Sequence, residues 1–263
     1  MIPASARALR LAKAATGLGL FFLGWQALAL SGATSTAFFP TVPMIARALA
    51  ALLADPGFWA DIAASLARLS GGLALAIAAG LGLALAAADL PPLRRMLAPL
   101  VEILRVLPPP ALVPIAIYAL GLGPKMFLFI IVNAALWPVY VNAANALAGT
   151  EPVQLLSGRA LGYGRAELLW RVRLPAAAPE IFTGIRIAAS FALLATVAAE
   201  MLAGTDGLGY ALYNAGFSLE TPRMFALMFV IGLLGIAIQS VVALARHVLV
   251  GWHAALAAVA DQA

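Results

Sequence analysis

The sequence has no cysteine and few charged residues, and both shortages exclude classes of function. Without cysteine there can be no disulfide framework and no thiolate metal site. Only 10% of residues are charged, and the net charge of +5 lies beside hydrophobic segments instead of along one basic face. That distribution argues against a nucleic-acid partner. His247 and His253 lack carboxylate partners at metal-ligand spacing, so we expect no metal site.

Motifs for catalysis are missing as well. The chain contains no G-x4-G-K-[ST] phosphate loop, no H-E-x-x-H pair and no nucleophile elbow. We therefore expect no cofactor, no catalytic residue and no ATP hydrolysis by this chain itself.

Hydrophobic residues make up 64% of the chain, and the mean hydropathy is +1.01. These values are typical of a polytopic membrane protein. An all-α fold follows, with one transmembrane domain over 1–263 and its core at about 60–250. Residues 1–59 would add a first span and an outer amphipathic helix. The six segments predicted to cross the bilayer are 14–30, 69–88, 97–122, 126–150, 181–203 and 224–245.

The first 59 residues contain two predicted helices. The 14–30 segment follows three basic residues, and its length favours a retained anchor. A cleaved signal peptide is the alternative, because Ala29 and Ala33 are small enough for a cleavage site. Residues 44–53 form an amphipathic pattern that Thr41 can cap and that Asp55-Pro-Gly57 ends. This second helix is too short to span, and we expect it at the outer surface.

Most arginines and lysines fall in loops on one side of the six spans. The rule that basic loops face the cytoplasm places both termini and segment 151–180 inside. Arg47, Arg68, Lys125 and Arg223 are left in outer loops or at outer span ends. A multi-pass protein of a bacterial inner membrane is the resulting prediction.

Segment 151–180 is the most polar long stretch of the chain. Its leucines recur at helical spacing, and Gly162 and Gly164 predict that one short helix ends there and a second begins at an angle. Pro175 is expected to close the second helix. The pattern favours a docking surface beside the membrane, while an ordinary cytoplasmic loop stays open on spacing alone.

This segment resembles the cytoplasmic E-A-A-x3-G-x9-I-x-L-P motif of ABC importer permeases. Gly162 matches the motif glycine, Val172 the isoleucine, and Leu174-Pro175 the final pair, whereas Leu156-Ser-Gly158 replaces E-A-A. Arg105-Val-Leu-Pro-Pro-Pro-Ala-Leu-Val-Pro114, the segment 174–187, and Ala199-Glu-Met201 followed by Gly207-Leu-Gly-Tyr210 are similar to the nitrate/sulfonate/taurine group of these permeases.

The resemblance implies a type I ABC importer permease fold and a set of partners. These are two cytoplasmic ATPase subunits, a second permease copy, expected to be identical, and a substrate-binding protein outside. The solute would be a small anion such as nitrate, sulfonate or taurine, or another nutrient such as a pyrimidine vitamin precursor. A self-contained secondary transporter or channel is the alternative from another class. The expected ATPase-coupling residues, centred on a coupling helix at 156–164, are Leu156, Arg159, Ala160, Leu161, Gly162, Tyr163, Gly164, Leu174 and Pro175.

Two features inside the spans are candidates for the translocation pathway. Three consecutive prolines interrupt the third span, and the freed carbonyls must be buried in protein or line a cavity. Glu200 is an ionisable residue within the fifth span, which is costly unless it faces protein or water. Arg186, at the inner end of that span, is expected to snorkel to the cytoplasm. The predicted pathway residues are Arg105, Pro108, Pro109, Pro110 and Glu200.

Two local packing predictions complete the sequence picture. Glu102 and Arg105 are three residues apart and can pair on one helix face. In the second span, Gly72, Ala76, Gly80 and Ala84 form a stripe of small residues that favours close packing of another helix.

Overall fold

The computed structural model describes residues 4–32 and 35–260, and all regular elements in that part of the chain are helical. Ala33, half of the predicted cleavage site, lies outside the described residues, and so does the side chain of His253. The helices are α1 Ala4–Leu30, α2 Val42–Ala54, α3 Pro56–Asp89, α4 Pro91–Leu104, α5 Pro109–Leu120, α6 Pro124–Ala148, α7 Pro152–Ala160, α8 Arg165–Leu168, α9 Leu174–Ala203, α10 Leu208–Phe217 and α11 Thr221–Ala260.

Four helical segments are long and apolar enough to cross a membrane: α3, α6, the run Arg165–Ala203 that ends in α9, and Thr221–Gly251 of α11. Counting the bent pair α4–α5 as one broken span brings the number to five. The first predicted span is helical, but its apolar part in the described chain, Ala15–Leu30, is shorter than 18 residues. The polytopic all-α prediction is confirmed, while the count of six stays a prediction.

The second predicted span begins much earlier than the sequence indicated. Asp55 ends α2, and its carboxylate accepts a hydrogen bond of 2.8 Å from the amide of Gly57 in the first turn of α3. Pro56 suits the first position of a helix because no intrahelical partner awaits its missing N–H. The stop signal for α2 is therefore also the start of α3, and Arg68 lies inside a helix instead of at its end. Thr41 precedes α2 as expected but makes no side-chain cap.

The chain divides into two compact units, Met1–Ala60 with Ala211–Ile231, and Asp61–Tyr210 with Gly232–Ala263. In the first unit, the end of α1 is fixed by aromatic and polar contacts. Trp25 stacks on Phe39 with ring centroids 4.3 Å apart, and its indole N–H donates to the carbonyl of Pro40 at 2.9 Å. Gln26 accepts from the amide of Val42 at 2.9 Å, which ties α1 to the start of α2. The single-domain assignment stays a prediction.

The core of the second unit is built around α6, which packs most extensively against α9. The small-residue stripe of α3 is confirmed, because Ala76 and Ala84 are fully buried. A Cβ added at Gly80 would meet the carbonyl oxygen of Leu136 at 2.8 Å, so the α6 backbone approaches α3 too closely for any side chain there. Such close approach between small residues is how helices associate in membranes.

The third predicted span is broken at its prolines, as expected. α4 and α5 are bent by 104° relative to each other. Pro108 precedes α5, and Pro109 and Pro110 occupy its first positions, where missing N–H groups cost nothing. The proline run therefore starts a new helix in a new direction instead of kinking one continuous span.

Candidate functional site

The polar segment after α6 folds as a short helix, a tight turn and a second helix, in agreement with the sequence prediction. α7 ends in a Schellman motif: the amide of Tyr163 donates to the carbonyl of Gly158 at 3.1 Å, and that of Gly162 to Arg159 at 2.9 Å. Gly162 has a φ of +83°, which glycine adopts without strain. The glycine of the sequence motif is thus the residue that reverses the chain.

The α7 turn, residues 152–164, presents apolar side chains outward. Leu156 and Leu161 are 61% and 71% exposed, and Val153 is exposed beside them. On the opposite side, Gly158 is buried, and a Cβ there would approach Leu168 to 2.6 Å. Gly158 stands where the family motif has its second alanine. The departure from E-A-A therefore lets α7 lie closer to the following helix.

The remaining predicted coupling residues cluster at this turn or at its base. Arg159, Ala160 and Gly164 are exposed, and Tyr163 is half-buried with the guanidinium of Arg171 over its ring at 5.4 Å. The amide of Gly164, which precedes α8, donates to the Glu167 carboxylate at 3.2 Å. The structure brings Leu156 through Gly164 together, and places Leu174 and Pro175 beyond α8.

The expectation that Pro175 closes the second helix is wrong. A π-helical turn, Leu169–Arg173, joins α8 directly to α9, and Pro175 lies in the first turn of α9. The wider π-turn changes the hydrogen-bond register just before the proline, where a missing N–H is tolerated. The fifth span is consequently continuous with α8, and we call this continuous helix, Arg165–Ala203, the α8–α9 element.

Arg173 anchors this element to two spanning helices. Its guanidinium donates twice to the carbonyl of Leu147, at 3.2 and 3.0 Å, in the last turn of α6. It also pairs with Asp89, the last residue of α3, at 3.2 Å. Carbonyls at a helix C-terminus lack intrahelical partners, and a cation there is favourable. Sequence reasoning missed this role because nothing near Arg173 in the sequence identifies its partners.

Glu200 is fully buried and belongs to a polar cluster at the C-terminal end of α9. Its carboxylate accepts from Arg68 at 2.7 Å, from the Ser65 hydroxyl at 2.8 Å, and from the amide of Gly209 at 3.0 Å. Arg68 also pairs with Asp206 and lies over the Phe127 ring, 4.5 Å from its centroid. The charge is therefore compensated within the protein.

The same cluster caps the first turn of α10. The amide of Gly207 donates to Asp61 at 2.8 Å, and that of Leu208 to the Ser65 hydroxyl at 2.8 Å. Together with Glu200, these acceptors bind three amides that have no partner within α10. The negative charges of the carboxylates also stabilise the positive N-terminal end of the helix dipole. Asp61, Ser65 and Arg68 follow i, i+4 and i+7 spacing and therefore share one face of α3. The sequence prediction missed this polar stripe because it started the helix at residue 69 instead of Pro56.

Arg105 pairs with Glu102 at 2.8 Å, as predicted from their spacing. It also contributes to a cavity of about 390 Å³ together with side chains of α6 and α9, among them Trp137 and Asn142. Pro108, Pro109 and Pro110 are not in the lining of that cavity. The pathway role of Arg105, the prolines and Glu200 stays a prediction.

Arg186 is not at the end of a helix. α9 begins at Leu174, earlier than the sequence suggested, so Arg186 lies about 4 Å along the axis from the middle of α9. Its Nε donates to Gln239 of α11 at 3.1 Å. The side chain contacts a neighbouring helix, and its snorkelling to the cytoplasm stays a prediction.

A family described as "Binding-protein-dependent transport system inner membrane component" matches residues 76–251. The chain belongs to this family. It is the membrane-spanning permease subunit of an ABC importer, as the sequence motifs predicted. The alternative of a self-contained carrier is not favoured by this assignment.

Curated relatives of the permease carry the names of three solutes. The chain is 30% identical over 241 residues to the taurine transport system permease protein TauC of Escherichia coli, covering 90% of this chain and 88% of that one. It is 32% identical to the nitrate import permease protein NrtB of Leptolyngbya laminosa, covering 72% and 67%. The bicarbonate transport system permease protein CmpB of Synechococcus elongatus is 33% identical, covering 71% and 67%.

A solved structure of the MetNI methionine ABC transporter, described as inward facing, shares the permease fold. The TM-score is 0.52 at 16% sequence identity, over 68% of this chain and 91% of that one. This likeness supports the all-α importer permease architecture.

Proposed function

We propose that this permease imports a small oxyanion and that the α7 turn is its docking site for a cytoplasmic ATPase. The observation that carries the proposal is the turn itself: Leu156 and Leu161 are 61% and 71% exposed at the tip of a rigidly built helix–turn–helix. Exposed apolar side chains of this size on an otherwise polar segment are typical of an interaction site. ATP hydrolysis then belongs to the ATPase subunits.

The exposed apolar tip and the absence of the E-A-A glutamate both favour docking through apolar contact. Where the family motif has a glutamate, this chain has Leu156, so docking depends on buried apolar area more than on an ion pair. Arg159 adds a charged contact at the rim, where such contacts contribute little affinity. Two ATPases, a second identical permease and an external binding protein complete the assembly, with both termini and residues 151–180 cytoplasmic.

Arg173 gives a route from the docking turn to the spans. Arg173 is bonded to the last turn of α6 and to the last residue of α3. A displacement of the α8–α9 helix would therefore be transmitted to both of these helices. Alternating access by such a rigid-body movement requires that the docking turn and the spanning helices move together. The continuous α8–α9 helix supplies that rigidity.

The solute class rests on the relatives named for taurine, nitrate and bicarbonate, which share a small oxyanion group. The test is uptake into proteoliposomes holding the permease with its ATPase and binding protein. We expect ATP-dependent accumulation of at least one of nitrate, taurine and bicarbonate, and none with a non-hydrolysable ATP analogue. Equal uptake without ATP would contradict the importer mechanism, and failure with all three probes would contradict the solute class.

A further inference from the structure

Arg186 is held by a side-chain network that leaves most of its guanidinium unused. Its Nε donates to Gln239 Oε1 at 3.1 Å, while Gln239 Nε2 donates to the Ser190 hydroxyl at 2.7 Å and to the Arg186 carbonyl at 3.1 Å. The side-chain amide of Gln239 thus makes three hydrogen bonds, two of them with Arg186. The terminal nitrogens of Arg186 have no hydrogen-bond acceptor among the side chains that the structure describes, although each carries two N–H donors.

The charge of Arg186 has no opposite charge beside it, among the described residues, within a candidate span. The residue lies near the middle of α9, and no carboxylate pairs with it in the described chain. Arg68 and Arg105 differ in this respect, because Arg68 pairs with Glu200 and Arg105 with Glu102. An unpaired ionisable residue within a span usually faces the protein interior or a water-filled solute pathway.

Two cavities meet at Arg186, forming what we call the α9–α11 groove. One of about 610 Å³ lies toward the outer end of α9, and one of about 550 Å³ toward its inner end. The groove follows α9 from residue 194 to residue 179, about 22 Å. No Asp or Glu belongs to the described lining, and the polar side chains in it are Ser190, Gln239, Ser240, Thr183, Arg246 and His247.

We propose that Arg186 is a solute-binding residue of the translocation pathway, and that it contacts the oxyanion group of the solute in the α9–α11 groove. The inference rests on the proposed import of a small oxyanion and names the residue that recognises it. A guanidinium presents parallel N–H donors that match the oxygens of nitrate, sulfonate or bicarbonate. Gln239 is its positioning residue, and Arg246 and His247 extend the donor-lined groove toward the inner end.

The effect of the Arg186 charge on the groove can be measured without knowing the solute. The chain has no native cysteine, so a single introduced thiol reports the local electrostatic potential. Ser240→Cys places one thiol in the groove next to Gln239, and the assembled complex is treated with anionic and cationic methanethiosulfonate reagents of similar size. We expect the ratio of anionic to cationic reaction rates to fall about 10-fold or more when Arg186→Gln is added. The matched control Arg223→Gln, which removes an arginine paired with Glu220 and outside the groove lining, should leave the ratio unchanged. An unchanged ratio in the Arg186→Gln background would overturn the assignment.

Uptake supplies the second measurement. In complexes with the ATPase and binding protein, Arg186→Gln should lower uptake of the transported probe (nitrate, taurine or bicarbonate) at least 10-fold, while Arg186→Lys keeps part of it. Complex recovery and basal ATPase activity should match the unmodified complex, which separates solute contact from folding.

The two failures are distinguishable. If the unmodified complex imports none of the three probes, the proposed solute class fails, and the thiol reaction rates still decide whether Arg186 is an anion site. If the unmodified complex imports a probe and Arg186→Gln imports it equally well, only the role of Arg186 is wrong.

Discussion

Glu200→Gln should destabilise the permease, because Glu200 is the acceptor at the centre of a buried cluster. A carboxylate can accept from Arg68, Ser65 and the amide of Gly209 at the same time. A glutamine has one acceptor oxygen, and its NH2 group would face donors in the same small space. The substitution keeps the side-chain shape, so the effect comes from charge and hydrogen bonding.

The magnitude follows from burial. Glu200 is fully buried and Arg68 is 19% exposed, and breaking such a pair costs about 3–5 kcal/mol. Arg68 keeps Asp206 as a partner, so we expect the lower end, about 3 kcal/mol. At about 2–4 °C per kcal/mol for a chain of this size, the unfolding temperature in detergent should fall by about 6–12 °C, measured by intrinsic tryptophan fluorescence.

Glu102→Gln is the matched control. The Glu102–Arg105 pair has the same chemistry, but its side chains are 67% and 49% exposed. An exposed pair contributes about 0–1 kcal/mol, so the unfolding temperature should fall by less than about 4 °C. Equal shifts in the two variants, or no shift for Glu200→Gln, would refute the structural role of the cluster.

Three further predictions concern the α7 turn and its base. Gly162→Val should lower ATP-driven uptake at least 10-fold, because a β-branched residue at a φ of +83° costs about 1–2 kcal/mol or more. The control Gly82→Val, in α3 where no atom lies within 4 Å of an added Cβ and φ is not positive, should leave uptake unchanged. Arg173→Gln should raise the ATP hydrolysed per solute imported, since the α8–α9 element loses its ion pair at the end of α3; an unchanged ratio would rule out the coupling route. A single cysteine at position 164 should resist a membrane-impermeant maleimide in sealed cells, while one at position 217 reacts, and the reverse pattern would invert the topology.

Most of the architecture could be predicted from hydrophobic runs and their breakers. The proline run marked the break between α4 and α5, Gly162 marked the end of α7, and the small-residue stripe marked the face of α3 that packs on α6. These features depend on local backbone chemistry, which a sequence displays directly. Two helix limits were predicted wrongly, because Pro56 and Pro175 were interpreted as stop signals although each stands at a helix start.

The polar contacts between distant elements were not predictable in the same way. The sequence identified Glu200 as costly but not its partner Arg68, which lies 132 positions earlier. Gln239 and Arg186 are 53 positions apart, and an uncharged glutamine in an apolar span gives no local sign of its role. Placing Arg186 near a helix end followed from starting the span at residue 181. Once α9 is extended to Leu174, the same residue lies near the middle of the helix.

The docking of the α7 turn on an ATPase is the central claim, and a site-specific cross-link at its tip tests it most directly. Leu161→Cys, carrying a short photoreactive group, should yield one product with the combined mass of the permease and the ATPase subunit. Phe217→Cys, also strongly exposed but at the C-terminal end of α10, which the topology prediction places outside, is the control and should yield none. The claim would be contradicted if position 161 did not cross-link to the ATPase in an assembly that hydrolyses ATP, or if position 217 cross-linked to it equally well.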